Sequence, residues 1–429
     1  MAVLTHVLQP DTQAILLLCA GFGQSRQAEP MPLSLSEYNI LAQKLQQEHL
    51  RPADLLATDG KNWVFDEING SLNPQRIVHL LARGAMLAIA VEDWTNKGLW
   101  ILSRSDETYP QRLKRKLKHL SPPILYGVGN PDLLSEGGLA IVGSRDIDNE
   151  GLGYTQRIAE KCAEQGIQIV SGGARGVDQT AMLAAISVGG KSVGVLADSL
   201  IKAAVSMKYR QGLREGRVAL ISPYDPSAGF NAGNAMNRNK HVYALANHAL
   251  VVNSSYEKGG TWAGAKEELK KEGKIPVWVR LEGDMPQGNH HLVKLGAIPF
   301  PLEPWNRSIL NLLEESEQFH RIEAQKNTSK QLDLGEVKQS AIQSNNVNYQ
   351  EKEHTPKLPN DAYEAVLPLL LHHLSEPKGD KEVADLIDVG VGQVRIWLKK
   401  AIQDKFVEKK KTNYVLNRDN KQLHLLGGN

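Results

Sequence analysis

The sequence predicts an α/β protein: an extended Rossmann-like, doubly wound, mostly parallel sheet, preceded by a helical module and followed by a winged-helix domain. Three observations predict this. Short continuous apolar runs recur between helical stretches, as strands buried on both faces require. Glycine-bearing turns follow those runs, where strands of an open sheet hand over to helices. Near the C-terminus, three helical stretches precede a hairpin pattern, the order expected of helix-turn-helix plus wing.

Composition bounds the reading. The 429 residues carry 50 Lys and Arg against 48 Asp and Glu, a net charge of +2, with 41% hydrophobic and 23% charged residues. That length suggests about three domains. A disordered, collagen-like or membrane-embedded chain is unlike this composition. Near-neutrality means that any affinity for a polyanion must come from a local patch. Two cysteines, Cys19 and Cys162, are too few for a disulfide framework and fit a reducing compartment, so the expected location is cytoplasmic. The apolar run Ala14–Ala20 lacks a basic leader and is too short to span a bilayer; it reads as a buried helix.

Residues 1–100 read as the helical module. Ser34-Leu35-Ser36-Glu37 is a capping-box pattern ahead of Tyr38, Leu41 and Leu45. Asn73 with Pro74 opens another helix, with Ile77, Leu80 and Leu81 as its apolar stripe and Gly84 where it would stop. From 101 to 313 the Rossmann-like pattern holds. Strands are expected at Leu139–Val142, Ile167–Val170, Ser192–Leu196, Ala219–Ser222, Ala249–Val252 and Pro276–Val279, with helices near 152–165 and 178–188. Residues 314–360 are rich in Gln, Asn, Lys and Glu and read as a flexible linker. The winged-helix-like segment covers 361–418, with helices at about 361–374, 381–387 and after Gly390-Val391-Gly392, then a hairpin over Phe406–Leu416; 419–429 is a tail.

In an open α/β sheet, ligands bind beyond the carboxyl ends of the strands. Three loops there carry anion-binding residues. Gly143, Ser144 and Arg145 combine close backbone approach, a hydroxyl and a guanidinium fork matched to phosphate. The helix near Gly151–Gly153 adds free N–H groups. Gly172, Gly173, Arg175 and Gly176 form a second cradle, with Asp178 placed to cap the next helix. Lys258, Gly259, Gly260 and Thr261 form a third. Phe230 is placed to stack on a base, and Arg238, Asn239 and Lys240 to hold phosphates. Neither a dinucleotide fingerprint nor a P-loop is present, which favours a repeating phosphate ligand over a mononucleotide.

In these residues the chain resembles the DprA/Smf family of DNA-processing proteins. The resemblance rests on Tyr109-Pro110, Pro122-Pro123-Ile124-Leu125-Tyr126-Gly127, Val142–Arg145, Ser171–Asp178, Arg238-Asn239-Lys240, Gly259-Gly260-Thr261, and Gly288-Asn289 with Leu292 and Gly296-Ala297. It implies a domain that binds single-stranded DNA, dimerises and helps load the RecA recombinase in natural transformation or recombination. It also implies that Gly143, Ser144 and Arg145 bind phosphate and that the strand-holding basic position falls near Arg238 and Lys240. The chain departs from the family pattern at Gly173, in place of leucine, at Met182, in place of histidine, and at Lys240, in place of arginine. The usual proline-glycine after the late strand reads Arg280-Leu281-Glu282-Gly283. It is a divergent member.

Two other readings compete. Gly259-Gly260-Thr261 with Glu267 and Glu268 resembles part of a nucleotide-binding or nucleotide-hydrolysing, phosphoribohydrolase-like site, although those glutamates also suit an exposed helix. The C-terminal segment offers Arg395, Lys399 and Lys400 on a recognition helix and Lys409, Lys410 and Lys411 in a wing for duplex contact, or else a protein-docking face. No catalytic constellation stands out, so the chain reads as a non-enzyme. His290-His291 and His372-His373 lack further metal ligands, and no cofactor or metal is implied.

Overall fold

Nine strands form the sheet of the α/β unit: β1 (Trp100–Ser103), β2 (Ile124–Gly129), β3 (Leu139–Val142), β4 (Ile169–Ser171), β5 (Ser192–Val195), β6 (Val218–Ser222), β7 (His248–Val251), β8 (Val277–Val279) and β9 (Ile298–Pro299). Their order is β1-β2-β6-β5-β4-β3-β7-β8-β9. The computed structural model describes residues 8–23, 30–68, 70–283, 287–318, 362–374, 376–387, 389, 391–410 and 412–417. The chain divides into two units, Met1–Glu336 and Val337–Asn429.

From β6 through β9 every neighbouring pair is parallel. Strands β3 to β6 are wholly buried, which is why their residues read as unbroken apolar runs. The six expected strands are all present, each within two residues of its expected ends. Strands β1 and β2 were not foreseen. Strand β1 runs antiparallel to β2, and β2 antiparallel to β6, and Gly127 and Gly129 interrupt the apolar run of β2. Gly127 is required there, because a Cβ would stand 2.2 Å from the Trp100 ring that crosses it.

Strand β3 has β4 on one side and β7 on the other, with Leu139 paired to Ile169 and to His248. The chain winds outward from β3 through β4, β5 and β6, then returns to place β7 on β3's free edge. Strand order therefore reverses between β3 and β7, and the diverging loops leave a crevice at their carboxyl ends.

The helices before residue 100 are not set apart from the sheet. Helix Pro10–Cys19 buries Ile15, Leu16 and Leu18 in the same core as Tyr126, Val128, Val218 and Leu220. Ser34 and Glu37 make the reciprocal capping box of helix Leu35–Gln47, and Asn73 caps helix Pro74–Leu81. Gly84 opens the next helix, Gly84–Asn96, rather than simply ending the one before it. No described helix is long and apolar enough to cross a membrane.

The second unit contains helices Ala362–His373, Asp380–Leu386 and Val391–Gln403. A three-stranded sheet of order β10-β12-β11 accompanies them, built from β10 (Lys378–Gly379), β11 (Val407–Lys410) and β12 (Asn413–Leu416). Leu370, Leu374, Val383, Val394, Leu398 and Val407 form its core. The linker expected from 314 does not hold over 314–318, because residues 309–318 are helical. Residues 319–361 and the tail after 417 lie outside the described residues, as do Gly390 and Lys411.

Candidate nucleic-acid interface

The crevice at the strand-order reversal is a cleft of about 410 Å³. Gly143, Ser144 and Arg145 from the β3 loop form one wall, and Ser254, Ser255 and Lys258 from the β7 loop form another. Helix Ala232–Leu245 closes a third side through Met236, Arg238 and Asn239. A second cleft of about 350 Å³ continues past Gly172, Gly173, Ala174 and Arg175. Arg145, Phe230, Ala174 and Arg238 line both clefts. Phe230 is 59% exposed, and the Arg145 guanidinium lies 4.8 Å from its ring centroid. The pair thus stands at the junction of a continuous groove.

The glycines of the β3 and β4 loops are there because the loops touch. A Cβ at Gly143 would lie 2.4 Å from Val177, and one at Gly172 only 1.0 Å from the Arg238 guanidinium. Gly176 has φ +85° and packs against the Ser144 carbonyl. The third loop opens helix Gly259–Lys270, which has no side-chain cap, so its first N–H groups and positive dipole end border the cleft. Thr261 Oγ1 donates to the Gly143 carbonyl at 2.9 Å and ties this loop to the first.

Asp178 sits under all of this, but not as a cap. Helix Val177–Ser187 is preceded by Gly176 and has no side-chain cap, and Asp178 lies inside its first turn. Its carboxylate accepts from Arg238 Nη1 at 3.1 Å, and both side chains are nearly inaccessible. Burial pushes the Asp178 carboxyl above its ordinary value, against the pull of Arg238 and the nearby N–H groups of Gly143 and Ala174. Arg238 is therefore a wall beneath the ledge that the three glycine-bearing loops form, and not the exposed phosphate grip expected of it. Its Nε has no hydrogen-bond partner, and the side chain lines both clefts.

Other expected residues fall elsewhere. Asn239 is buried and donates from Nδ2 to the Gly260 carbonyl, bracing two loops rather than meeting solvent. Lys240 points away from the ledge into a separate groove with Leu120, Pro122 and Tyr224. Arg175 is highly exposed beside the second cleft and lies 3.5 Å from Asp146, an exposed pair of little energetic weight. Helix Asn149–Glu164 does not offer the Gly151 N–H, because Asp148 already accepts from it. Of the cations at the groove, Arg145 and Lys258 have no carboxylate partner among the described residues.

Three polar residues went unrecognised as parts of the site. Asn253 Oδ1 accepts from the Ser144 N–H at 2.8 Å and sets the curl of the first loop. Ser254 Oγ donates to Asn289 Oδ1, while Asn289 Nδ2 reaches the carbonyls of Val252 and Arg280. A Cβ at Gly288 would lie 2.2 Å from the Ser254 carbonyl. The Gly288-Asn289 motif was the available signal: it pins the end of β7 and with it one side of the cleft.

Two departures from the family pattern meet at one place. A Cβ at Gly173 would be 2.5 Å from Leu196 and 3.9 Å from Met182 Sδ. Met182 is fully buried, so its long side chain fills space next to the position where the leucine is missing. Of the two glutamates in the competing nucleotide reading, Glu268 is buried, pairs with Lys271 and accepts from the Ile275 N–H. It is occupied with folding at the far end of its helix and does not face the cleft. In the second unit, Arg395 pairs with Asp380, and Lys400 lies over the Tyr363 ring, turned from the face that Lys399 presents. Lys409 and Lys410 are exposed on β11.

Behind the ledge, His241 is buried with Nδ1 against the Arg238 carbonyl, and burial together with Lys240 lowers its pKa to about 3. The folded state therefore keeps His241 neutral while the unfolded chain protonates it below its ordinary value of 6.5. Stability from this group is complete above that value and declines as pH falls toward 3, by at most about 1.4 kcal/mol per pH unit. His241→Asn is expected to flatten this acid limb in urea titrations at several pH values. An unchanged limb would place the acid sensitivity elsewhere.

Comparison with known proteins finds relatives of the α/β unit. Residues 100–304 match the family model for DNA recombination-mediator protein A. Protein Smf of Escherichia coli K12 is 30% identical over 202 residues, covering 46% of this chain and 53% of Smf. DNA processing protein DprA of Streptococcus pneumoniae is 29% identical over 195 residues, covering 45% of this chain and 67% of that protein. The match thus spans about half to two thirds of these relatives. The crystal structure of S. pneumoniae DprA aligns over 62% of this chain and 94% of its own, with 23% identity and a TM-score of 0.45. A structure of DNA processing protein A from Helicobacter pylori, described for its single-stranded DNA binding mode, aligns over 52% of this chain and 96% of its own, with 23% identity and a TM-score of 0.39. Over residues 100–304, a little under half of its length, the chain matches the DprA/Smf family.

Proposed function

We propose that this protein binds single-stranded DNA along the groove between the β3, β4 and β7 loops. The observation that carries the reading is Phe230, more than half exposed, with Arg145 across its ring and a glycine-lined cleft on either side. An exposed aromatic ring suits an unpaired base, whose face is hidden in a duplex. Backbone N–H groups and cations on both sides suit successive phosphates and favour a chain over a mononucleotide. Such a site grips with little sequence preference, because every base has a face to stack and every phosphate the same charge.

The family match supports extending this reading to assistance of RecA loading in DNA uptake or recombination, by a dimer of this chain. The second unit, with its three helices and hairpin, is read as a winged helix that touches duplex DNA through Lys399, Lys409 and Lys410. Arg395 is engaged with Asp380, and Lys400 with Tyr363, so they contribute less than the sequence suggested.

Arg145→Ala is expected to weaken oligo-dT binding about tenfold or more and to reduce the slope of log K against log salt by about 0.7. Phe230→Ala loses about 1–3 kcal/mol of binding with the salt slope unchanged, since it removes stacking and no charge. Fluorescence anisotropy across a salt series measures both. Undiminished binding by Arg145→Ala would remove the reading. Thermal stabilisation by a mononucleotide, with none by oligo-dT, would replace it with the nucleotide-binding alternative.

A further inference from the structure

Helix Gln111–Leu117 and the turn after it carry Arg112, Lys114, Arg115, Lys116 and Lys118, and no Asp or Glu occurs between residues 108 and 131. Elsewhere in the α/β unit, cations commonly sit beside carboxylates, as in Lys97–Asp93, Arg157–Glu303, Lys191–Glu136 and Arg217–Glu215. Here, among the described residues, none of the five does. Arg112 donates to the Ser135 carbonyl and to Asn247 Oδ1, and Lys116 to the Gly273 carbonyl, so both are anchored to neutral acceptors. Lys114 lies over the Tyr109 ring, while Arg115 and Lys118 are exposed. The negative end of a helix dipole, about half a charge, favours cations in the last turn but offsets only a fraction of five.

The location of this helix gives the charge a use. It packs against helix Ala232–Leu245, whose other face walls the ledge through Met236, Arg238 and Asn239. Beside helix Ala232–Leu245, a groove of about 310 Å³ receives Lys240 and is lined by Leu120, Pro122 and Pro123 from the turn after the basic helix and by Tyr224 and Asp225. Lys240 is thus a cation that the ledge does not use, in a groove whose rim includes Leu120, two residues beyond Lys118. Burial and the nearby Lys271 lower its pKa, against the pull of Glu267.

We propose that a single strand leaving the ledge continues past Lys240 and over the basic helix, where Lys114, Arg115 and Lys118 hold its next phosphates. This extension rests on the ledge reading and adds a second contact region to it. An uncompensated cluster of cations beside a strand-binding groove is complementary to the remainder of that strand, and distance along the polymer brings it there at no further association cost.

The test compares the full chain with the triple variant Lys114→Gln, Arg115→Gln, Lys118→Gln, which keeps helix-forming residues on the helix. The probes are oligo-dT of about 6 and about 25 nucleotides. For the long probe, affinity should fall about tenfold and the salt slope by about 2, from three lost contacts at about 0.7 each. For the short probe, held by the ledge alone, binding should change less than about twofold, whereas Arg145→Ala weakens both probes. Unchanged affinity and slope for the long probe would overturn the proposal, as would equal loss for both probes. Polyglutamate displacing the long probe as effectively as unlabelled oligo-dT would overturn it too, in favour of an acidic protein segment. An Arg145→Ala variant with intact binding of the short probe would instead mark failure of the ledge reading.

Discussion

Arg238→Ala is expected to lower the stability of the α/β unit by about 3–5 kcal/mol, because it leaves the buried Asp178 carboxylate without its counter-charge. The two side chains are 5% and 7% exposed, so solvent cannot take the place of the guanidinium. Replacing both together, as Asp178→Leu with Arg238→Met, should cost much less, since no unpaired charge then remains. Urea unfolding followed by tryptophan fluorescence measures the difference, and a single-variant loss below about 1 kcal/mol would refute it. The pH dependence has a definite sign. Asp178 already titrates above its ordinary 3.8 through burial, and loss of Arg238 raises it further. A carboxyl raised in the folded state binds its proton more tightly there, so the variant's deficit is largest near neutral pH and narrows on acidification toward 3.8. DNA binding should fall along with stability, because the pair supports the loops of both clefts.

That pair also marks where sequence reasoning stopped. The parallel strands were legible because burial on both faces writes them as uninterrupted apolar runs, as in Leu139-Ala140-Ile141-Val142. Glycine turns pointed to the sheet edge at which the two clefts open. Antiparallel β1 and β2 were not legible: Gly127 and Gly129 look like turn residues and are in fact cleared for Trp100 and the β6 backbone. Arg238, Asn239 and Lys240 read as one basic cluster. On a helix, however, successive residues point about 100° apart, and here the three meet Asp178, the Gly260 carbonyl and a separate groove. Ionic partners 60 residues apart, such as Arg238 and Asp178, leave no trace in local pattern. Asn253 was invisible for the same reason, since its role is fixed by the loop it fastens and not by its neighbours in sequence.

Gly172→Ala should be more disruptive than its single methyl group suggests. The added Cβ would fall 1.0 Å from Arg238 Nη1 and 2.4 Å from Asp178 Oδ2, inside the ion pair. Either the pair separates within a site that cannot hydrate it, or the loop Gly172–Gly176 lifts from the ledge. The first course costs about 3 kcal/mol or more, and the second withdraws Ala174 and Arg175 from the second cleft. Both predict a large drop in oligo-dT affinity as well as in urea stability. Gly229→Ala is the control: it lies beside Phe230, and a Cβ there meets nothing within 4 Å, so stability should stay within about 0.5 kcal/mol. The decisive arrangement is a double-mutant cycle. If collision with the guanidinium is the cause, Gly172→Ala should cost markedly less in the Arg238→Ala background, where that atom is gone, giving a coupling of about 1–3 kcal/mol. Strict additivity would mean that Gly172 acts through backbone freedom alone, and the buried pair would lose its place as the support of the loops around both clefts.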